Sequence, residues 1–126
     1  MIYIRVGRRQ DGMARSAVGH ASYAPRGQDI VCAGVSALLY GFIAYLEGLS
    51  PIATEGEVAR GEIPHLQVTE SDGGLWVRTH GLGGKDIRGW EVTEAGLRKI
   101  ALAYPACVAV ERGEVSPQER KGADNE

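Results

Sequence analysis

The chain has 126 residues, 44% of them apolar and 24% charged, which is enough for one compact domain with its own core and too few for two. Its net charge of -2 argues against sequence-independent nucleic-acid binding, and its two cysteines exclude a disulfide scaffold. The 18 glycines, about twice the usual share, are the compositional outlier.

The first half of the chain predicts a hairpin followed by a long helix. Alternating apolar residues predict strands over 2–7 and 13–19, joined through an Asp-Gly turn signal. A polar loop over 21–28 comes next. A helix is then predicted over 29–48, with Asp29 as its N-cap and a glycine at its C-terminal end.

The helical segment from Ile30 to Leu46 carries no charge and therefore needs a membrane check. Glycine, serine and tyrosine interrupt it, so we interpret it as a buried helix of a soluble domain. Small residues recur along this helix and predict a face for close packing against the sheet or a dimer partner. The glycines of that face are Gly34, Gly41 and Gly48.

The second half of the chain predicts shorter elements. A second helix is placed within 86–103, with Thr93 as a candidate cap and Pro105 as its stop, and Gly81 to Gly84 form a connector before it. Residues 113–126 are polar and predicted to be disordered. Extended segments are placed at 55–60, 65–70, 74–79 and 107–111.

These elements predict a single α+β domain over 1–112, with a mixed, mainly antiparallel sheet and two helices packed on it. No signal peptide opens the sequence, so a cytoplasmic location is expected. Residues 1–28 hold five arginines and one aspartate, a net +4. This basic segment is either an ordinary solvated surface or a patch for an acidic partner such as RNA exposed on a larger particle.

One stretch places a histidine at the end of a strand and a cysteine in the first turn of a helix. With Asp29 as N-cap, Cys32 is the third helical residue, where unpaired amides and the helix dipole favour a thiolate. The loop after His20 is long enough to bring its imidazole within hydrogen-bond reach of the sulfur. The residues alone leave two interpretations open: a Cys–His dyad that hydrolyses an amide, or a small buried cysteine and an unrelated histidine.

No metal and no cofactor are predicted. The candidate ligands are scattered and show no paired spacing of the kind that zinc sites use. They are His20, Cys32, His65, His80 and Cys107.

The stretch resembles the signature of the ribosomal-processing cysteine proteases (Prp). The matching segments are Gly19-His20-Ala21, Tyr23-Ala24, Gly27, Asp29-Ile30-Val31-Cys32-Ala33 and Val35-Ser36-Ala37. The resemblance implies an endopeptidase that removes the N-terminal extension of the bacterial large-subunit ribosomal protein L27. It also implies a homodimer and a mobile loop between the histidine and the cysteine.

Carried onto this sequence, the resemblance makes Cys32 the nucleophile and His20 the general base, with Gly19, Asp29 and Ser36 as supporting residues. Their individual roles stay open. Asp29 either caps the helix or orients His20, and the Ser36 hydroxyl either donates toward the site or bonds back to the Cys32 carbonyl. Gly19 lets the backbone bend or a substrate strand approach closely.

The sequence departs from the family pattern in the loop, at Pro25-Arg26, in the connector 50–64 and in the tail. The expected partners are the L27 precursor and a second copy of the chain, with no sequence-specific nucleic acid and no membrane. The alternatives are a related phage or prophage protease, a non-enzymatic protein-binding module of the same fold, and a thiol hydrolase acting on a small amide or ester.

Overall fold

A computed structural model describes residues 1–9, 12–48 and 66–115. Within these ranges the chain forms one five-stranded sheet and two helices, which confirms the predicted α+β class. The predicted strand at 55–60 and residues 116–126 of the predicted tail lie outside the described residues. The elements are β1 Ile2–Arg8, β2 Gly12–Gly19, α1 Ile30–Leu46, β3 Leu66–Ser71, β4 Gly74–His80, α2 Gly84–Ala103 and β5 Val108–Arg112.

The strand order is β3-β4-β2-β1-β5, and every neighbouring pair is antiparallel except β1 and β5, which run parallel. The predicted hairpin is confirmed, with Ile2 opposite Gly19 at one end and Arg8 opposite Met13 at the other. The sheet therefore has two distinct ends. One carries the chain leaving β2 toward α1, and the other carries the β1–β2 connection.

The core lies between one face of the sheet and the two helices. On β1, Ile2, Ile4 and Val6 are buried while Tyr3 between them is exposed, as a strand covered on one face requires. The helices add apolar side chains that point at these strands. The buried set contributed by the helices is Val31, Val35, Leu39, Phe42, Ile43, Leu46, Trp90 and Leu97.

Helix α1 begins and ends where its capping residues predict. Asp29 is its N-cap, and after Leu46 the chain passes through Glu47 to Gly48, whose φ of 77° is the left-handed conformation that glycine adopts without strain. Among the described helices, none combines the length and apolar character needed to cross a membrane.

Helix α2 starts earlier than predicted. It runs from Gly84, so the last residue of the expected connector is helical, and Thr93 lies in mid-helix with its hydroxyl donating to the Gly89 carbonyl at 2.9 Å. The predicted Thr93 cap is therefore wrong. The buried face of α2 carries Asp86 in its first turn and Glu94 in its third, so an apolar pattern does not reveal where the helix begins.

The small-residue face predicted for α1 does not produce the close packing of this helix against the sheet. Gly41 is exposed with open space around it, and Gly34 faces Ile100 of α2 rather than the sheet. The close approach of the two helices depends on α2. There a Cβ at Gly89 would lie 2.8 Å from the Tyr45 ring, and one at Gly96 would lie 3.0 Å from Leu38.

A charged side chain lies inside the core. Arg15, on the second strand, is 2% exposed and its Nη1 lies 2.6 Å from Asp86 Oδ1, in the first turn of α2. The guanidinium sits 4.8 Å from the centre of the Phe42 ring and 4.9 Å from that of Trp90. The Thr79 hydroxyl donates to the other oxygen of Asp86 at 2.6 Å. This cluster joins the sheet to both helices.

Burial lowers the pKa of Arg15 below its ordinary value, and the adjacent Asp86 carboxylate opposes that shift. The basic segment at the start of the chain is correspondingly less basic at the surface than its composition indicates. Arg15 is inside the core, and Arg5 pairs with Glu111 at 3.2 Å on the neighbouring strand.

We expect Arg15→Ala to lower the free energy of unfolding by about 3–5 kcal/mol, because it leaves Asp86 buried without its cation. The double variant Arg15→Met with Asp86→Asn removes both charges, and the amide oxygen introduced at position 86 can still accept from Thr79. The stability of this variant should therefore lie near that of the wild type. Urea unfolding followed by circular dichroism measures both. Equal losses in the single and double variants would contradict the ion-pair explanation.

Candidate active site

His20 follows directly on the last residue of β2. Gly19, before it, has a φ of 107°, and a Cβ there would lie 2.2 Å from the Met1 carbonyl oxygen. A side chain at this position would therefore be both strained and obstructed. Of the two roles considered for Gly19, the geometry supports the bend in the backbone that turns His20 out of the sheet.

The turn between β3 and β4 lies beside the histidine. The Gly19 amide donates to the Gly73 carbonyl at 2.9 Å, and a Cβ at Gly73 would lie 3.2 Å from His20 Nε2. His20 itself is exposed. The imidazole therefore lies close to the backbone at Gly73, whose φ of 77° also favours glycine. Gly73 was not among the site residues predicted from the sequence, although the Asp-Gly turn signal at 72–73 marks the position.

Cys32 is the third residue of α1, as predicted, and its thiol is half-buried. Its backbone N–H donates to Asp29 Oδ1 at 2.9 Å, so Asp29 caps the helix through the amide of the candidate nucleophile. The other carboxylate oxygen accepts from the amides of Tyr23 at 3.0 Å and Ala24 at 3.4 Å. One side chain thus fixes both the start of α1 and the loop before it.

These amide hydrogen bonds lower the pKa of Asp29, and the bond from Cys32 has the largest effect. Both oxygens of the carboxylate are engaged by backbone amides. The geometry therefore supports the capping role of Asp29 over a contact with His20.

The loop between the two candidate residues is anchored at several points besides Asp29. Ala21 is buried in the core, and the Tyr23 ring packs edge-on against Tyr104 with centroids 5.2 Å apart. A turn closes where the Gln28 amide donates to the Pro25 carbonyl at 2.9 Å. The mobility expected for this loop stays a prediction.

The chain places His20 and Cys32 at the same end of the domain, where β2 ends and α1 begins. Over the ranges that the structure covers, no hydrogen bond joins the imidazole to the thiol. Ser36 lies one helical turn beyond Cys32 and is half-buried. The described part of the chain contains no group of three or more residues able to hold a metal ion.

Comparison with known proteins identifies the family. The family model described as cysteine protease Prp matches residues 1–109. The chain is 33% identical over 96 residues to the ribosomal processing cysteine protease Prp of Mycoplasma pneumoniae, covering 76% of this chain and 83% of that protein. It is 45% identical over 42 residues to the Bacillus subtilis protein of the same name, covering 31% of this chain and 38% of that protein.

Solved structures share the fold. The essential ribosomal processing protease Prp from S. aureus, in complex with a covalently linked product peptide, superposes with a TM-score of 0.71 at 20% identity, covering 90% of this chain and all of that one. A protein from Streptococcus mutans superposes with a TM-score of 0.60 at 26% identity, covering 89% of this chain and 93% of its own. The predicted class of cysteine peptidase is confirmed at the level of the family, because this chain belongs to the cysteine protease Prp family.

Proposed function

We propose that this chain is an endopeptidase that removes the N-terminal extension of ribosomal protein L27, with Cys32 as nucleophile and His20 as general base. The observation that supports the proposal is the place of Cys32 in the first turn of α1 and of His20 directly after β2, in a chain of the Prp family. The S. aureus relative holds a covalently linked product peptide, which fits covalent catalysis by a family member.

In this mechanism the His20 imidazole removes the Cys32 proton as the sulfur attacks the scissile carbonyl carbon. The tetrahedral intermediate collapses, the carbon–nitrogen bond breaks, and the imidazolium returns its proton to the departing amine. Water, deprotonated by His20, then attacks the thioester. The acyl product leaves as a carboxylic acid, and the thiol is restored.

The backbone amides at the start of α1 stabilise the oxyanion of that intermediate by donating hydrogen bonds to it. The Cys32 N–H is occupied by Asp29 in this structure, so its use requires the carboxylate to release or share it. Ile30 and Val31 are the other two residues of the first turn, and their amides precede the first backbone bond of the helix. The substrate carbonyl therefore competes with Asp29 for the best-placed donor.

The remaining parts of the proposal rest on the family. The L27 precursor is the substrate, the enzyme works as a homodimer, and it acts in the cytoplasm. Large apolar side chains exposed on the outer surfaces of both helices are compatible with a second copy packing there. They include Tyr40, Tyr45 and Leu102.

The first test uses a peptide that spans the junction between the L27 extension and the mature protein. The wild type should cleave it, whereas Cys32→Ala and His20→Ala should each lower kcat/KM by at least about a hundredfold with unchanged circular dichroism. Cys107→Ala is the matched control, since it removes the other cysteine and should leave cleavage intact. Cleavage by Cys32→Ala at the wild-type rate would falsify the proposal.

The same assay, extended to alkylated protein and to other substrates, separates the alternatives. A stable complex without turnover, unaffected by alkylation of Cys32, would identify a binding module. Hydrolysis of small amides or esters with no action on the peptide would identify a thiol hydrolase. Cleavage of a phage structural protein in place of the L27 peptide would identify a phage or prophage protease.

A second prediction concerns the glycine beside the histidine. Gly73→Ala places a methyl group 3.2 Å from His20 Nε2, and we expect it to displace the imidazole and lower kcat/KM by about tenfold or more. Gly48→Ala is the matched control, because Gly48 has the same φ of 77° and open space around it. Both variants should lose comparable stability in thermal unfolding, and only Gly73→Ala should lose activity. Equal activities would contradict this role.

A third prediction separates the two functions of Asp29. Asp29→Asn keeps one acceptor oxygen for the helix cap and presents an amide group to the loop, so it should release the amides of Tyr23 and Ala24 while keeping that of Cys32 bound. Asp29→Ala should release all three. Hydrogen exchange followed by NMR reads each amide separately, and unchanged exchange at Tyr23 in both variants would contradict this assignment.

The same carboxylate gives the fold a pH dependence. Because its pKa is lower in the folded chain than in the unfolded chain, its stabilising effect is complete above about pH 4 and is lost as the pH falls through the folded value. The difference in melting temperature between the wild type and Asp29→Ala should therefore be constant near neutral pH and shrink in strong acid. A difference that does not change with pH would argue against the carboxylate.

A further inference from the structure

A cavity of about 690 Å³ opens at the end of the domain opposite to His20 and Cys32. Its lining includes Arg8 and Met13, which pair across the far end of the β1–β2 hairpin, together with the first turns of α2. Phe42, which contacts the buried arginine of this cavity, lies ten residues beyond Cys32, about 15 Å along α1. The cavity is therefore separate from the candidate active site.

The buried arginine in this lining, Arg15, has two nitrogen atoms without a hydrogen-bond partner among the described residues. Nη1 of Arg15 is held by Asp86 and Thr79, and the aromatic rings of Phe42 and Trp90 lie near the guanidinium. The Nε and Nη2 atoms are buried and have no hydrogen-bond partner among the described residues. These two atoms form the side-on fork through which a guanidinium binds one carboxylate or phosphate group in a bidentate manner.

A buried donor without a partner has lost its hydrogen bonds to water, so an acceptor that reaches this fork restores hydrogen bonds that the folded chain lacks. Five arginines and three carboxylates line the cavity, a net charge of +2. The two buried carboxylates are already engaged with cations. Asp86 pairs with Arg15, and Glu94, which is 8% exposed, accepts from Arg98 at 2.7 Å and from Arg112 at 3.3 Å.

The rest of the lining defines the kind of molecule that fits. Apolar side chains of Met13, Leu82, Ile87 and Trp90 contribute to the walls, and the arginines at positions 8 and 9 are exposed. A volume of this size lies in the range that holds small organic ligands. An apolar body with an anionic head group matches both the walls and the arginine fork.

We propose that this cavity is a binding site for a small organic oxyanion, an aromatic or aliphatic body carrying one carboxylate or phosphate group, which the Nε and Nη2 atoms of Arg15 bind in a bidentate manner. The two nitrogen atoms are covered in this structure, so the head group reaches them when lining side chains move.

The test titrates the full chain with benzoate, phenyl phosphate and phenol, a neutral aromatic that lacks the anionic head group, by calorimetry at constant ionic strength. Benzoate or phenyl phosphate should bind with saturation at one molecule per chain, the tighter of the two identifies the head group, and phenol should not bind. The double variant Arg15→Met with Asp86→Asn leaves the net charge unchanged and should weaken binding by about tenfold or more. Binding of phenol as tight as benzoate, or no saturable binding of either anion, would overturn the proposal.

A second pair of variants serves if the double variant does not fold. Ala95→Glu places a carboxylate on an exposed lining position of α2, and Val92→Glu makes the same charge change at a position of the same helix that is 75% exposed and is not part of the lining. Ala95→Glu should abolish anion binding, and Val92→Glu should bind within about twofold of the wild type. Equal binding by the two variants would show that the anion binds elsewhere and would sink the assignment.

Discussion

The buried charge of Arg15 determines how the two layers of this domain fit together. The arginine stands on β2, the middle strand of the sheet, and each helix sends an aromatic ring to its guanidinium: Phe42 from α1 and Trp90 from α2. The first turn of α2 supplies the counter-ion Asp86. A shift of α2 along the strands would separate Arg15 from Asp86 and leave both charges buried without a partner, which is costly. The cluster therefore fixes α2 in position over the strands.

A second carboxylate, that of Asp29, connects two parts of the chain at the N-terminal end of α1. Asp29 accepts from the amide of Cys32 and from two amides of the preceding loop, so the start of the helix and the path of the loop are set by one group. The histidine is positioned independently, by Gly19 and by the turn at Gly73. The proposed nucleophile and base are thus held by separate contacts at one end of the sheet, and the arginine cluster fixes the layers at the other.

Local chemistry made much of this predictable from the sequence. Alternation and a turn signal located the β1–β2 hairpin, and a capping residue followed by an uncharged apolar run located α1 and placed Cys32 in its first turn. The class of fold followed from the order of these elements. The capping bond of Asp29 was one of the alternatives considered, and only the folded loop shows that its second oxygen is used as well.

The remainder depends on contacts between residues far apart in the sequence. The beginning of α2 was missed because Asp86 and Glu94 are polar yet buried, so periodicity of apolar residues gives no sign of that face. Arg15 was counted with the surface arginines because its partner lies 71 residues later. Gly73 has no recognisable relation to His20 until β4 pairs with β2. Short-range patterns predict elements, but long-range partners decide which polar residues enter the core.

The parallel pairing of β1 with β5 has a consequence for how the protein is made. The β1–β2 hairpin involves only neighbouring residues and can form early, whereas one edge of β1 waits for Val108–Arg112, the last strand of the sheet. During synthesis that edge exposes unpaired backbone groups until nearly the whole domain has left the ribosome. Pairing with β5 then covers the second edge of β1, so assembly of the sheet is completed late.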